Sequence, residues 1–106
     1  MMGTRTAPFL ATMVAAAMLS SAAAAKNIRV AIRDLVFLPA AVTAELGDTI
    51  EWTNADFIDH TATAEDGSWD VPIPKAATRS VVLNRVGRPE YFCRFHPTMR
   101  GSIEVR

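Results

Sequence analysis

The sequence predicts an all-β protein, a small antiparallel sandwich or barrel, preceded by a helical signal peptide. Three observations support this fold class. Short segments alternate between apolar and polar residues, turn-forming residues separate them, and no helical pattern follows residue 25. The chain has 106 residues, so the part after residue 25 is long enough for a single small domain.

The first 25 residues have the composition of an export signal. Arg5 provides the positive charge, residues 9–19 form an apolar run broken by one threonine, and small residues occupy positions 20–25. An apolar run of this length is shorter than the roughly 20 residues that span a bilayer. We therefore expect cleavage after Ala25, and a periplasmic domain at residues 26–106 that does not insert into the membrane.

The first two predicted strands are the most regular. Ile28, Val30 and Ile32 alternate with polar or small residues, which predicts a half-buried strand at residues 27–33. A Gly-Asp turn signal at positions 47 and 48 precedes a second alternating strand at residues 49–53.

The second half of the domain continues with strands after an irregular segment. Residues 65–78 contain two prolines and predict a loop rather than a strand. A β-branched run predicts a strand at 78–84, an aromatic segment predicts one at 90–94, and alternation predicts the last at 102–106.

The charge balance excludes some classes of function. After residue 25 the chain carries ten Lys and Arg against eleven Asp and Glu. Without a basic excess it is not expected to bind nucleic acid through bulk charge. A domain of about 80 residues buries only roughly 60–65% of its unfolded surface, and its single cysteine forms no internal disulfide. A bound metal is one way to stabilise so small a domain.

Four metal-ligating side chains stand out after residue 25. This part of the chain has one cysteine, one methionine and two histidines. Three of these four residues, Cys93, His96 and Met99, lie within the seven positions 93–99. The fourth, His60, lies upstream and is expected at the end of a neighbouring strand. Each residue alone is compatible with ordinary packing, but together they form the His₂Cys set with a weak Met ligand that suits copper.

At these residues the chain resembles a known family. The spacing Cys93-x-x-His96-x-x-Met99, after an aromatic strand, is similar to the ligand loop of the blue-copper cupredoxins. Within the plastocyanin/azurin superfamily it is most similar to the amicyanin-like group. The segments 37–39, 47–54 and 59–62 extend this resemblance, so that it covers residues 28–106.

The resemblance implies a cupredoxin-like Greek-key sandwich with one type 1 copper ion. The implied ligands are His60, Cys93 and His96, with Met99 as the axial ligand. The implied function is electron transport without catalysis, by cycling between Cu(II) and Cu(I) in the periplasm. A monomer would exchange electrons with a redox protein, either a c-type cytochrome or a dehydrogenase.

Other functions use the same residues. A copper chaperone or storage protein would bind copper with this set and pass it on. An accessory domain of a copper enzyme would also carry the set, and a zinc-bound structural module is less compatible with a thioether ligand. Arg88, Arg94 and Arg100 near the ligand segment either dock an acidic partner or form a solvated charged face.

One position departs from the family pattern. Amicyanin-like proteins often have proline two residues after the ligand cysteine, and this chain has Phe95. Phenylalanine keeps its backbone N–H, so Phe95 is a candidate hydrogen-bond donor to the Cys93 thiolate. The N–H of Thr61 is the second candidate.

Overall fold

The structure is a computed structural model that describes residues 3–4, 8 and 24–106. Most of the predicted signal peptide therefore lies outside the described residues. Within the described part, no helix has the length and apolar character needed to cross a membrane. The described residues form nine strands: β1 Asn27–Arg33, β2 Val36–Leu38, β3 Ala41–Ala44, β4 Thr49–Asn54, β5 His60–Ala64, β6 Asp70–Ile73, β7 Thr78–Val82, β8 Glu90–Phe92 and β9 Arg100–Val105.

The strands form two sheets that pack as a sandwich. One sheet has four strands in the order β2-β1-β4-β7, and the other has five in the order β3-β9-β8-β5-β6. The all-β prediction is confirmed. Most neighbouring strands are antiparallel, as expected, but β1 pairs with β4 and β3 with β9 in parallel. Alternation in sequence determines which face of a strand is buried, but it contains no information on the direction of the partner strand.

The core lies between the two sheets and has an aromatic centre. Trp52 of the four-stranded sheet and Tyr91 of the five-stranded sheet are fully buried, with ring centroids 5.5 Å apart. The indole N–H of Trp52 donates a hydrogen bond to the Tyr91 hydroxyl at 3.3 Å. Burial raises the pKa of Tyr91 to about 12, although this hydrogen bond opposes the shift. Trp69 is half-buried and packs on both rings at 5.6 Å.

The structure corrects the prediction for residues 65–78. Residues 70–73 form strand β6, which pairs with β5 and places Pro72 opposite Thr61. A proline is tolerated here because β6 is the edge strand of its sheet, where a missing N–H costs little. Strands β2 and β3 also had no sequence prediction, because three or four residues are too few to show a period.

Candidate metal centre

The four candidate ligands lie at one end of the five-stranded sheet. His60 begins β5, Cys93 follows the last residue of β8, and Met99 precedes β9. Strand β8 lies between β5 and β9 and is antiparallel to both. The start of β5, the end of β8 and the start of β9 therefore meet at the same end of the sandwich. The predicted placement of the four residues at strand ends and on a tight loop is confirmed.

Backbone hydrogen bonds define the loop from Cys93 to Met99. The His96 N–H donates to the Cys93 carbonyl at 3.2 Å, and the Met99 N–H donates to the His96 carbonyl at 2.8 Å. The Cys93 N–H in turn donates to the Met99 carbonyl at 3.1 Å. These three bonds hold the backbone of the three candidate ligands Cys93, His96 and Met99 in one compact turn.

The donor atoms of three residues converge on one point. Cys93 Sγ lies 3.6 Å from His60 Nδ1 and 3.9 Å from His96 Nδ1, and all three atoms lie within 4.8 Å of one another. Metal bonds to imidazole nitrogen and thiolate sulfur are about 2.0–2.3 Å long. Two donor atoms that bind the same ion are therefore farther from each other than either is from the ion, which agrees with the observed separations of 3.6 and 3.9 Å. His60, Cys93 and Met99 are buried and His96 is half-buried. This cluster is typical of a type 1 copper site.

A carboxylate orients the His60 ring. His60 Nε2 lies 2.8 Å from Asp56 Oδ2, which leaves Nδ1 directed at the cysteine sulfur. Asp56 also accepts the backbone N–H groups of Asp34 at 2.7 Å and Leu35 at 3.1 Å. Burial alone raises the pKa of Asp56, but the hydrogen bonds from Leu35, His60 and Asp34 outweigh it and hold that pKa below its ordinary value. A metal-ligating histidine commonly has such a partner on its second nitrogen.

The backbone of the β1–β2 turn is strained where it contacts this carboxylate. Asp34 and Leu35 have φ angles of 54° and 60°, in the left-handed region that residues other than glycine seldom adopt. This conformation directs two consecutive N–H groups toward Asp56. Asp56 was not predicted from the sequence to be a site residue. Its spacing of four residues before His60 was the only local signal.

One of the two predicted donors to the Cys93 sulfur is present. The Thr61 N–H lies 3.4 Å from Sγ, which confirms the expectation for this residue. Within residues 24–106 the structure shows no corresponding bond from the Phe95 N–H. The single observed donor comes from β5, the strand that also provides His60.

The three arginines near the site form ion pairs within the chain. The pairs are Arg88 with Glu104 at 3.3 Å, Arg94 with Asp70 at 3.1 Å, and Arg100 with Glu65. Each guanidinium therefore has a carboxylate partner already. This pairing favours the solvated charged face over a surface reserved for an acidic partner.

Comparison with known proteins agrees with this geometry. Residues 6–105 match the sequence profile of the cupredoxin-like domain family. Amicyanin from Paracoccus versutus is 30% identical over 87 residues, which are 76% of this chain and 66% of that protein, slightly less than two thirds of its length.

Solved structures show the same fold. A reduced amicyanin variant with a proline-to-phenylalanine substitution has a TM-score of 0.66 at 26% identity, over 76% of this chain and 82% of that one. A purple cupredoxin from Nitrosopumilus maritimus has a TM-score of 0.67 at 22% identity, over 74% and 98% of the two chains. The sequence profile, the two-sheet sandwich and the His-Cys-His cluster agree, and the chain belongs to the cupredoxin-like family.

Proposed function

We propose that this protein is a periplasmic electron carrier whose single type 1 copper ion cycles between Cu(II) and Cu(I). The observation that supports this most directly is the convergence of Cys93 Sγ with the Nδ1 atoms of His60 and His96. Met99, buried at the end of the same loop, is proposed as the axial ligand. The similarity to amicyanin supports the same function.

The arrangement suits electron transfer better than catalysis. Four protein ligands leave no open coordination position for a substrate. Copper, when bound by His60, Cys93, His96 and Met99, would supply one-electron chemistry. The hydrogen-bonded loop from Cys93 to Met99 and the Asp56 contact to His60 restrict movement of the ligands.

His96 is the proposed point of electron exchange. It is the ligand that is only half-buried, and Phe95 beside it is 56% exposed. The loop before His60 adds Phe57 and Ile58, which are also exposed and lie at the same end of the sandwich. Such an apolar surface suits brief contact with another redox protein, and we propose a c-type cytochrome or a dehydrogenase as partner.

The decisive experiment is spectroscopic. One equivalent of Cu(II) is added to the purified protein and to a Cys93→Ala variant, with Ser102→Ala as a control on the neighbouring strand. We expect an intense thiolate-to-copper absorption band and narrow copper hyperfine splitting in the wild type and the control, and neither in Cys93→Ala. A colourless wild type, or an EPR spectrum of ordinary tetragonal Cu(II), would contradict the proposal.

The rate at which the copper-loaded protein loses Cu(I) to a chelator distinguishes an electron carrier from a copper chaperone. A chaperone or storage protein must release copper readily, whereas a carrier must keep it through many redox cycles. Because His60, Cys93 and Met99 are buried, we expect slow loss of Cu(I) to a chelator in excess. Loss within the mixing time would favour the chaperone function.

The proposed location is tested separately. Expression of the full chain in a Gram-negative host, followed by fractionation and N-terminal sequencing, should give periplasmic protein that starts at Lys26. Protein that stays in the cytoplasm with its first 25 residues intact would contradict the export proposal.

A further inference from the structure

Two buried threonines lie on the strand that carries His60. In β5, Thr61 is fully buried and Thr63 is 9% exposed, and their hydroxyl oxygens are 2.9 Å apart. Residues 62 and 64 of the same strand are alanines that face the core. The threonines therefore occupy the opposite face of the sheet, and their hydroxyl groups need partners there because buried polar groups without hydrogen bonds are costly.

Those partners form a closed ring of hydrogen bonds. The Arg94 backbone N–H donates to Thr61 Oγ1 at 2.9 Å, and the Thr63 hydroxyl donates to Asp70 Oδ1 at 2.6 Å. Arg94 Nε donates to the same Asp70 oxygen at 3.1 Å and closes the ring. We call these four residues, Thr61, Thr63, Asp70 and Arg94, the threonine ring.

The direction of each bond follows from the number of protons available. A hydroxyl has one proton to donate, and Thr63 donates its proton to Asp70. Thr63 therefore accepts from Thr61 at their shared contact. Thr61 in turn accepts the Arg94 N–H, so every hydroxyl in the ring both donates and accepts.

The ring connects the residues that follow two candidate ligands. Thr61 follows His60 and Arg94 follows Cys93 in the chain. The backbone N–H of Thr61 is the donor to Cys93 Sγ at 3.4 Å. The ring thus fixes the side chain of the residue whose N–H contacts the sulfur, and it does so through side chains that are not ligands.

We propose that the threonine ring is a positioning device that holds the Thr61 N–H against the Cys93 sulfur and thereby raises the Cu(II)/Cu(I) potential. This inference rests on the proposed copper site. The positive end of the N–H dipole draws electron density from the sulfur, which favours the copper state with the additional electron. The ring acts through geometry, because the charges of Asp70 and Arg94 oppose each other at 3.1 Å.

The test removes one hydroxyl and leaves the net charge unchanged. Thr63→Val breaks the ring between Thr61 and Asp70, and Thr63→Ser restores a hydroxyl. The matched control is Thr53→Val, because Thr53 shares a hydroxyl contact of 3.0 Å with Thr78 in the other sheet. Two quantities are measured in the copper-loaded protein: the exchange rate of the Thr61 amide in the diamagnetic reduced form, and the midpoint potential.

We expect Thr63→Val to change both quantities. A weakened hydrogen bond should accelerate exchange of the Thr61 amide by about threefold to tenfold, in line with the free energy of one hydrogen bond. The potential should fall; a threefold shift of the redox equilibrium toward Cu(II) corresponds to about 30 mV for one electron. Thr63→Ser should recover most of both changes, and Thr53→Val should leave both at the wild-type values.

The outcomes separate this inference from the proposed function. A blue wild-type protein in which Thr63→Val changes neither exchange nor potential overturns the ring alone. A wild type without a blue band overturns both proposals. If Thr63→Val does not fold, Asp70→Ala removes the acceptor at a half-exposed position, and an unchanged Thr61 exchange rate in that variant overturns the ring.

Discussion

Each sheet contains a pair of threonines with hydroxyls in contact, and the two pairs have different surroundings. In the four-stranded sheet, Thr53 of β4 and Thr78 of β7 meet at 3.0 Å and face solvent. In the five-stranded sheet, Thr61 and Thr63 meet at 2.9 Å and are buried beneath Asp70 and Arg94. The same hydroxyl pair forms part of an ordinary surface in one sheet and lies beside the candidate metal centre in the other.

The two sheets also differ in whether they carry candidate copper ligands. The four-stranded sheet contributes Ile32, Ile50 and Trp52 to the core, and within the described residues none of its strands carries a candidate ligand. All four candidate ligands lie on or beside strands of the five-stranded sheet. We therefore expect substitutions in the first sheet to change the free energy of unfolding, and substitutions around the second to change copper binding as well.

The largest effect should come from the centre of the four-stranded sheet. Trp52→Ala removes a fully buried indole and should lower the free energy of unfolding by about 3–5 kcal/mol. Urea unfolding of the metal-free protein measures this change. Trp69→Ala is the control, and because Trp69 is only half-buried its loss should be smaller. An equal decrease in the free energy of unfolding for both variants would contradict the expectation that burial of Trp52 contributes more to stability.

A glycine makes the five-stranded sheet sensitive as well. Gly101 of β9 pairs with Tyr91, and a Cβ at this position would overlap the tyrosine ring. Gly101→Ala should therefore cost about 1–3 kcal/mol of stability through overpacking. Ser102→Ala, on the same strand, should change the urea midpoint little. A fully stable Gly101→Ala would show that the ring moves aside without cost.

Copper affinity should respond to Asp56, because its carboxylate contacts the ring of the candidate ligand His60. Asp56→Asn weakens the contact that orients His60, and such substitutions typically reduce metal affinity by about tenfold or more. Competition with a Cu(II) chelator measures the change. Asp66→Asn is the control, since Asp66 accepts the Ser68 N–H in a distant turn. Equal affinities of the two variants would contradict the orienting role of Asp56.

The smallest expected effect is an acid-dependent loss of stability. Backbone hydrogen bonds from Lys26 and Glu45 outweigh burial and hold the pKa of Asp48 below its ordinary value. A carboxylate with a lowered folded pKa stabilises the protein above its unfolded pKa of about 3.9, and this stability is lost as the pH falls through the folded pKa. The urea concentration at the unfolding midpoint should therefore decrease when the pH is lowered below about 4.

The variant Asp48→Asn tests the origin of this acid response. Its urea midpoint should be lower than that of the wild type at pH 7, and it should decline less between pH 5 and pH 3. Parallel profiles for the two proteins would assign the acid response to other carboxylates.

Prediction from the sequence was successful where the local pattern is strong. Strands β1, β4 and β9 alternate clearly and were predicted within a few residues. Strand β5 lacks this pattern because all five of its residues are buried, including two threonines. Strand β6 was missed because its proline argues against a strand, and only the position at the sheet edge makes that proline acceptable.

The sequence indicated which residues are candidate ligands because residue type and spacing are local properties. The supporting residues could not be identified in this way. Asp56 and Asp70 are ordinary polar residues in sequence, and their roles depend on Leu35 and Arg94, which lie more than 20 residues away. The parallel pairing of β1 with β4 is a long-range property of the same kind.

The sequence by itself determined the set of candidate metal ligands, the amphipathic strands and the family. Only the tertiary structure decided which side chains surround the site. An alternating pattern determines which face of a strand is buried against the core, but what covers the other face depends on contacts between distant segments. Thr53 remains a surface residue and Thr63 becomes part of the threonine ring because the fold places Asp70 and Arg94 over only one of the two sheets.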